Sequence, residues 1–131
     1  MLSLYTEDPG PKPMTKEKAM HTLETLTTKS DLGTVLVIQE TGTIIGYCIL
    51  INFWSNEYGG NIVHIDELYI QESHRSKGIG SHFIETLAKS KFANAVSLQL
   101  EVTPDNNRAV KLYKKLGFTL HKNKAYEMEL P

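Results

Sequence analysis

Apolar and polar positions along the chain follow two different periods. Ala19, Met20, Leu23 and Leu26 recur at helical spacing, and Thr15 stands where it can cap the helix they imply. The period then shortens. Thr34–Gln39 (TVLVIQ), Ile44–Phe53 (IIGYCILINF) and Ile62–Ile70 (IVHIDELYI) are rich in β-branched and aromatic residues, as strands are. Glu40-Thr41-Gly42 is a short turn, so the first two strands should form an antiparallel hairpin; the longer Ser55–Asn61 joins the second to the third. Helical spacing returns in Ile79, Phe83, Leu87 and Ala88, which predicts a helix from about Gly80 to Lys89. Val96, Leu98, Leu100 and Val102 alternate with polar residues, a half-buried strand. Ala109, Leu112, Tyr113 and Leu116 predict a helix over Asn107–Leu116. Asp105 or Asn106 can cap it, Lys111, Lys114 and Lys115 suit its negative end, and Gly117 stops it. Tyr126–Leu130 is a last short strand, and residues 1–13, with three prolines near their end, read as a loop or N-terminal arm. The order is helix, three strands, helix, strand, helix, strand: an α+β fold in which helices cover a mixed sheet.

The 131 residues carry 14 Lys+Arg against 15 Asp+Glu, with 40% hydrophobic side chains, so one domain spanning 1–131 around one core is expected. A formal net charge of −1 argues against a broad phosphate-coating surface, hence against nucleic acid as partner, and the three helix-end lysines read as a solvated face. The lone Cys48 excludes an internal disulfide and a cysteine-built zinc site. His21, His74, His82 and His121 lack ligand-like spacing with Cys48 or the carboxylates, so no metal is expected. MLSLYTEDPG has no basic segment followed by an apolar one, which argues against a secretory signal. Ile44–Ile51 is interrupted by Gly46 and falls far short of the roughly 20 residues that span a bilayer. A soluble cytoplasmic protein is the expectation.

Chemistry concentrates in Arg75-Ser76-Lys77-Gly78-Ile79-Gly80-Ser81, between a strand and a helix. Glycines let a backbone approach a ligand closely, successive N–H groups can converge on one anion, and the helix adds the positive end of its dipole. Arg75 and Lys77 add charge, so a pyrophosphate fits; a tight turn needing small residues is the other explanation. A P-loop is excluded because Lys77 precedes the glycines. A dinucleotide fingerprint is excluded because Phe83 occupies the place of its third small residue.

HIDELYIQESHRSKGIGSHFIETL followed by LEVTPDNNRAVKLYKKLGF resembles the two core motifs of the GNAT superfamily of acyl-CoA N-acyltransferases. Arg75 to Gly80 resemble that family's [Q/R]-x-x-G-x-[G/A] loop, and Asn106, Ala109, Tyr113, Gly117 and Phe118 its second motif, in the right order and separation. The resemblance implies acetyl-CoA as co-substrate. Backbone groups of Leu68, Tyr69 and Ile70 would take the pantetheine arm like an added strand, beside a neighbouring strand that splays away after a bulge. Arg75, Ser76, Lys77, Gly78, Ile79, Gly80 and Ser81 would hold the pyrophosphate, Asn106 would bond near the pantetheine, and Tyr113 would sit by the thioester sulfur as its acid. Members typically begin with another strand and helix before the helix at Thr15. Their absence implies a shortened N-terminus and an exposed sheet edge, which a homodimer would cover.

An amine attacks a thioester only when neutral, and alkylamines are mostly protonated at neutral pH. The site must therefore bind an ammonium, take its proton, and hold the oxyanion. His64 and Asp66 lie two apart on one strand, hence on one face, where the resemblance puts a base; Glu67 would face the other way unless the strand bulges. Removal of the proton through water, with no single base, stays open. Phe53, Trp54, Glu57 and Tyr58, with Glu7, Asp8, Asp66 and Glu67, suit a cationic acceptor: a small amine, a polyamine or a peptide amine. The implied activity is direct acetyl transfer to such an amine. The alternative is a coenzyme A-binding module, or a partner-dependent subunit, without transfer.

Overall fold

The computed structural model describes residues 1–131. The chain divides into two compact units, Met1–Glu101 and Val102–Pro131.

The first unit is built on a four-stranded sheet: β1 (Gly33–Glu40), β2 (Thr43–Ser55), β3 (Gly60–Ile70) and β4 (Ser97–Leu100), side by side in that order. β1 and β2 are antiparallel and joined by Thr41-Gly42, both with positive φ (48° and 80°), the backbone a two-residue hairpin turn requires. β2 and β3 are antiparallel, and β3 and β4 are parallel. The helices of this unit are α1 (Leu2–Glu7), α2 (Lys16–Thr28) and α3 (Ile79–Lys89). Thr15 caps α2 as its sequence position predicts, its side chain accepting from the Lys18 N–H at 3.2 Å.

Register divides the sheet into two faces. Tyr47, Ile49 and Ile51 of β2 share one, opposite Val37, Val35 and Gly33 of β1. Leu26 of α2 packs here with Tyr47 and Ile49, surrounded by Met1, Leu4, Val35, Ile51 and Tyr69. The alternate positions of β2, Cys48 and Leu50, are fully buried, as is Val63 of β3, and α3 packs against β3 with Ile84 and Leu87 buried. Each such aliphatic side chain contributes about 1.5–3 kcal/mol when removed from water, so the two-sided burial of β2 and β3 is what makes them the rigid centre of the unit.

Residues 2–7 correct the expectation of a loop over 1–13: they form α1. Prolines begin only at Pro9, and Met1 and Leu4 reach the cluster under α2. Six residues are too few for a helix to persist on propensity alone, so packing and side-chain ties to β2, β3 and Arg75 hold it.

In the second unit α4 runs Asn107–Lys115. The Asn106 side chain accepts from the Ala109 N–H at 3.2 Å and so caps it. At the other end Gly117 (φ 99°) turns the chain, with Gly117 N–H bonded to Lys114 O and Phe118 N–H to Tyr113 O, a Schellman ending. The expected strand over Tyr126–Leu130 does not form. Alternation alone cannot make a strand; a neighbour must accept its backbone bonds, and here Tyr126, Met128 and Leu130 are all exposed.

Candidate active site

β3 carries one residue more than β2 can match. Ile49 pairs with Glu67 and Leu50 with Ile65, which leaves Asp66 as a bulge. On the other side, pairing with β4 stops at Ile65↔Leu100, so β3 continues from Asp66 to Ile70 with that edge unpaired. Bulge and lost partner coincide at one residue.

The bulge corrects the facing expected for the carboxylates. His64 pairs with Ile51 and Glu67 with Ile49, two positions apart on β2, so His64 and Glu67 share a face. Asp66, expected to share that face by simple alternation with His64, is instead the unmatched and exposed residue.

Two phenols hold Glu67. Tyr47 donates to Oε1 and Tyr5 to Oε2, each at 2.7 Å. Burial, then the bond to Glu67, pushes both phenols well above the ordinary tyrosine value, so both stay protonated donors. Beside them Tyr69 packs against Tyr47, ring centroids 6.0 Å apart, and donates to Glu7 Oε1 at 3.0 Å. Glu7 also pairs with Arg75, and this bond holds its carboxyl below the ordinary glutamate range. Arg75 lies over the Tyr69 ring, 5.3 Å from its centroid, and donates through Nε to Ile70 O at 2.7 Å. Its guanidinium is thus committed to the end of β3 and to α1. Tyr5 and Tyr47 had no signal in the sequence, because their role depends on contacts 62 and 20 residues away.

After β3 the chain makes a 3-10 turn at Glu72–His74, passes Ser76 in a left-handed conformation (φ 64°), and enters α3 through Gly78 (φ 75°), which caps it. The first bond within α3 is His82 N–H to Gly78 O, so the N–H groups of Ile79, Gly80 and Ser81 lack helical partners. Gly78 needs its glycine for backbone conformation. Gly80 does not: its φ is ordinary, and a Cβ there would meet no atom within 4 Å. Gly80 thus leaves the backbone of the first turn of α3 open to close approach, beside N–H groups without helical partners and at the positive end of the helix dipole. Lys77 is exposed in this turn, between Ser76 and Gly78.

The aromatic residues expected at the acceptor end of the first unit lie apart from this cluster. Phe53, Trp54 and Tyr58 are exposed at the far end of β2 and its loop; Phe53 is four positions from Ile49, about 13 Å along the strand. Asn106 and Tyr113 belong to α4, where Asn106 is the cap and Tyr113 meets Phe118 edge-on at 5.6 Å. Cys48 is fully buried, and that burial, with the Asp66 charge, pushes its thiol up to about 12. No group of three His, Cys, Asp or Glu side chains is placed to hold a metal ion, and no helix is long and apolar enough to cross a membrane.

Comparison with known proteins assigns this architecture. The model of the acetyltransferase (GNAT) family matches residues 1–118, and the chain belongs to that family. Its mixed four-stranded sheet with flanking helices is the fold found in solved acetyltransferase structures. A possible acetyltransferase from Clostridium difficile 630 superposes with a TM-score of 0.86 at 22% identity, over 99% of this chain and 86% of that one. AAC(6')-Iy, in complex with the bisubstrate analogue CoA-S-monomethyl-acetylneamine, superposes with a TM-score of 0.77 at 14% identity, over 98% of this chain and 87% of that one. Among curated sequences, thialysine N-epsilon-acetyltransferase of Bos taurus is 35% identical over 75 residues, 56% of this chain and 44% of that protein. The matched region is less than half the length of that relative.

Proposed function

We propose that the protein transfers an acetyl group from acetyl-CoA directly to a primary amine. One observation carries this most: the bulge at Asp66 and the end of β3–β4 pairing at Ile65 open an unpaired strand edge that leads straight into the amide-rich turn before α3. Leu68, Tyr69 and Ile70 lie on that edge and offer backbone groups to a pantetheine amide. Ile79, Gly80 and Ser81 offer amides to the pyrophosphate, with Lys77 adding charge, while Ser76 and Gly78 set the turn and Arg75 braces it from β3.

At the acceptor end Glu67 attracts the ammonium and receives its proton, directly or through water, with His64 on the same face as a second acceptor. The neutral nitrogen then forms its bond to the thioester carbonyl carbon as the carbon–sulfur bond breaks. Tyr113, in the position of the family's acid, gives its proton to the departing sulfur and is restored by the second proton that the nitrogen sheds on becoming an amide, while Glu67 releases the first to solvent. Cys48, buried and with its thiol raised to about 12, takes no part as a nucleophile. A terminal alkyl amine, as in a lysine-like side chain, a polyamine or a small amine, is the acceptor class that the similarity to thialysine N-epsilon-acetyltransferase supports.

Gly80→Leu tests the donor site against the fold. Without a clash or a positive φ to strain, the substitution should leave the melting temperature unchanged or raise it, since glycine inside a helix costs about 0.5–1 kcal/mol relative to alanine. Calorimetry with coenzyme A should show affinity falling at least about tenfold, a loss of about 1.4 kcal/mol. Unchanged affinity would overturn the assignment of the loop. Binding by the wild type with no thiol release across a panel of alkylamines, polyamines and lysine peptides would instead favour a module that binds coenzyme A without transfer.

A further inference from the structure

We propose that Tyr5 and Tyr47 are positioning residues for Glu67, each fixing one oxygen of its carboxylate toward the bulged edge of β3. This rests on Glu67 as the group that meets the acceptor amine. A glutamate in solution samples many rotamers and its carboxylate spins about the last bond. Here the two phenols come from separate elements, α1 and β2, and bind opposite oxygens at the same 2.7 Å, so that rotation is stopped. A carboxylate has about four lone-pair sites, and two donors leave the others for an ammonium.

The donors are themselves anchored. Tyr47 is 8% exposed within the cluster of Leu26 and Ile49 and against the Tyr69 ring. Tyr5 rides on α1, which Met1 and Leu4 dock to the same cluster and which Glu7 ties to Tyr69 and Arg75. The charged and titratable groups around the clamp are therefore Asp66 on the bulge, His64 on the face of Glu67, the Tyr69 phenol and the Glu7–Arg75 pair. Because burial keeps the phenols protonated, neither competes with Glu67 for the acceptor's proton at working pH. α1 thus completes the acceptor side of the site, where the sequence offered only the acids Glu7 and Asp8 and gave no sign of Tyr5.

Tyr47→Phe and Tyr5→Phe keep the rings and remove only the donors. With an amine that the wild type acetylates, each should lower kcat about tenfold, with the KM for acetyl-CoA and the melting temperature close to wild type. In a Glu67→Gln background neither should cost more than Glu67→Gln alone, since the interaction they serve is already gone. A purely structural role would lower stability and would add to Glu67→Gln. Independently of turnover, phenolate absorbance should show Tyr5 and Tyr47 resisting ionisation in the wild type and ionising at lower pH in Glu67→Gln, whereas Tyr69, whose phenol is also raised and bonds to Glu7, should not respond to that substitution. A wild-type kcat in Tyr47→Phe, additive losses, or an identical phenolate titration in Glu67→Gln would each overturn the positioning role while leaving acetyl transfer intact. A wild type that turns over no amine would remove both.

Discussion

At the scale of single residues, small displacements in register decide what chemistry a side chain can reach. His64-Ile65-Asp66-Glu67 reads by alternation as a histidine and an aspartate on one face with glutamate opposite, and the extra residue at Asp66 brings Glu67 round to join His64. Nothing in the four residues announces the bulge; it is fixed by what β2 can pair with, which is information held at Ile49 and Leu50. The cap of α4 was legible for the opposite reason: a side-chain cap is local physics, and of Asp105 and Asn106, both suited to it, Asn106 takes the place. Cys48 was legible in part: mid-strand placement marks it as core, and the structure adds that its thiol is pushed up to about 12. Thiolate is the reactive form, so Cys48 should resist a disulfide reagent such as Ellman's at pH 8 in the folded protein, reacting at least about a hundredfold more slowly than after denaturation. Rapid labelling of native protein would show that β2 opens far more readily than its burial implies.

Among the elements, those with a long periodic stretch were visible in the sequence and those whose existence depends on a partner were not. β1, β2, β3, α2, α3 and α4 fall within a few residues of their predicted bounds because their apolar positions repeat often enough to fix the period. α1 escaped because six residues hold barely two turns, and its stability is borrowed from tertiary contacts. The strand expected at Tyr126–Leu130 erred the other way, since it has the alternation and no neighbour. Dependence on contacts makes α1 sensitive to pH. The bond from Arg75 holds the Glu7 carboxyl below its ordinary range, so its contribution is present above the unfolded value of about 4.3 and is lost as pH falls below it. Hydrogen exchange of residues 5–8 should therefore accelerate as the protein is taken from neutral pH to below pH 4, beyond the intrinsic pH dependence of exchange, while the amides of β2 and β3 stay protected. Added salt should weaken the attachment in the same direction, because the pair is partly exposed. Glu7→Gln should abolish the acid step; a step that survives the substitution would assign it to another carboxylate.

On the scale of the whole molecule, the sheet of the first unit ends in β1, whose outer edge pairs with no further strand. β1 pairs only with β2, and its outer edge carries eight residues of backbone without a strand partner. Edges of this kind are usually protected by lysine, proline or a covering segment. β1 contains neither residue, its one charge is Glu40 at the very end, and Val37 and the neighbouring Ile44 are more than half exposed. Pairing of two such edges about a two-fold axis would satisfy the backbone and cover those side chains at once, the same strand serving both subunits. Sedimentation of the wild type at tens of micromolar should then give twice the chain's mass. Val37→Lys, placed on an already exposed position, should shift the population to monomer without lowering the melting temperature of the subunit core. Acetyl transfer per subunit should survive this dissociation, because the groups assigned to the bulge, the clamp, the donor loop and the acid lie on β2, β3, α1, α3 with the turn before it, and α4, and none on β1. A wild type that sediments as a monomer at these concentrations would refute the dimer, and loss of activity on dissociation would mean that the partner subunit completes the acceptor site.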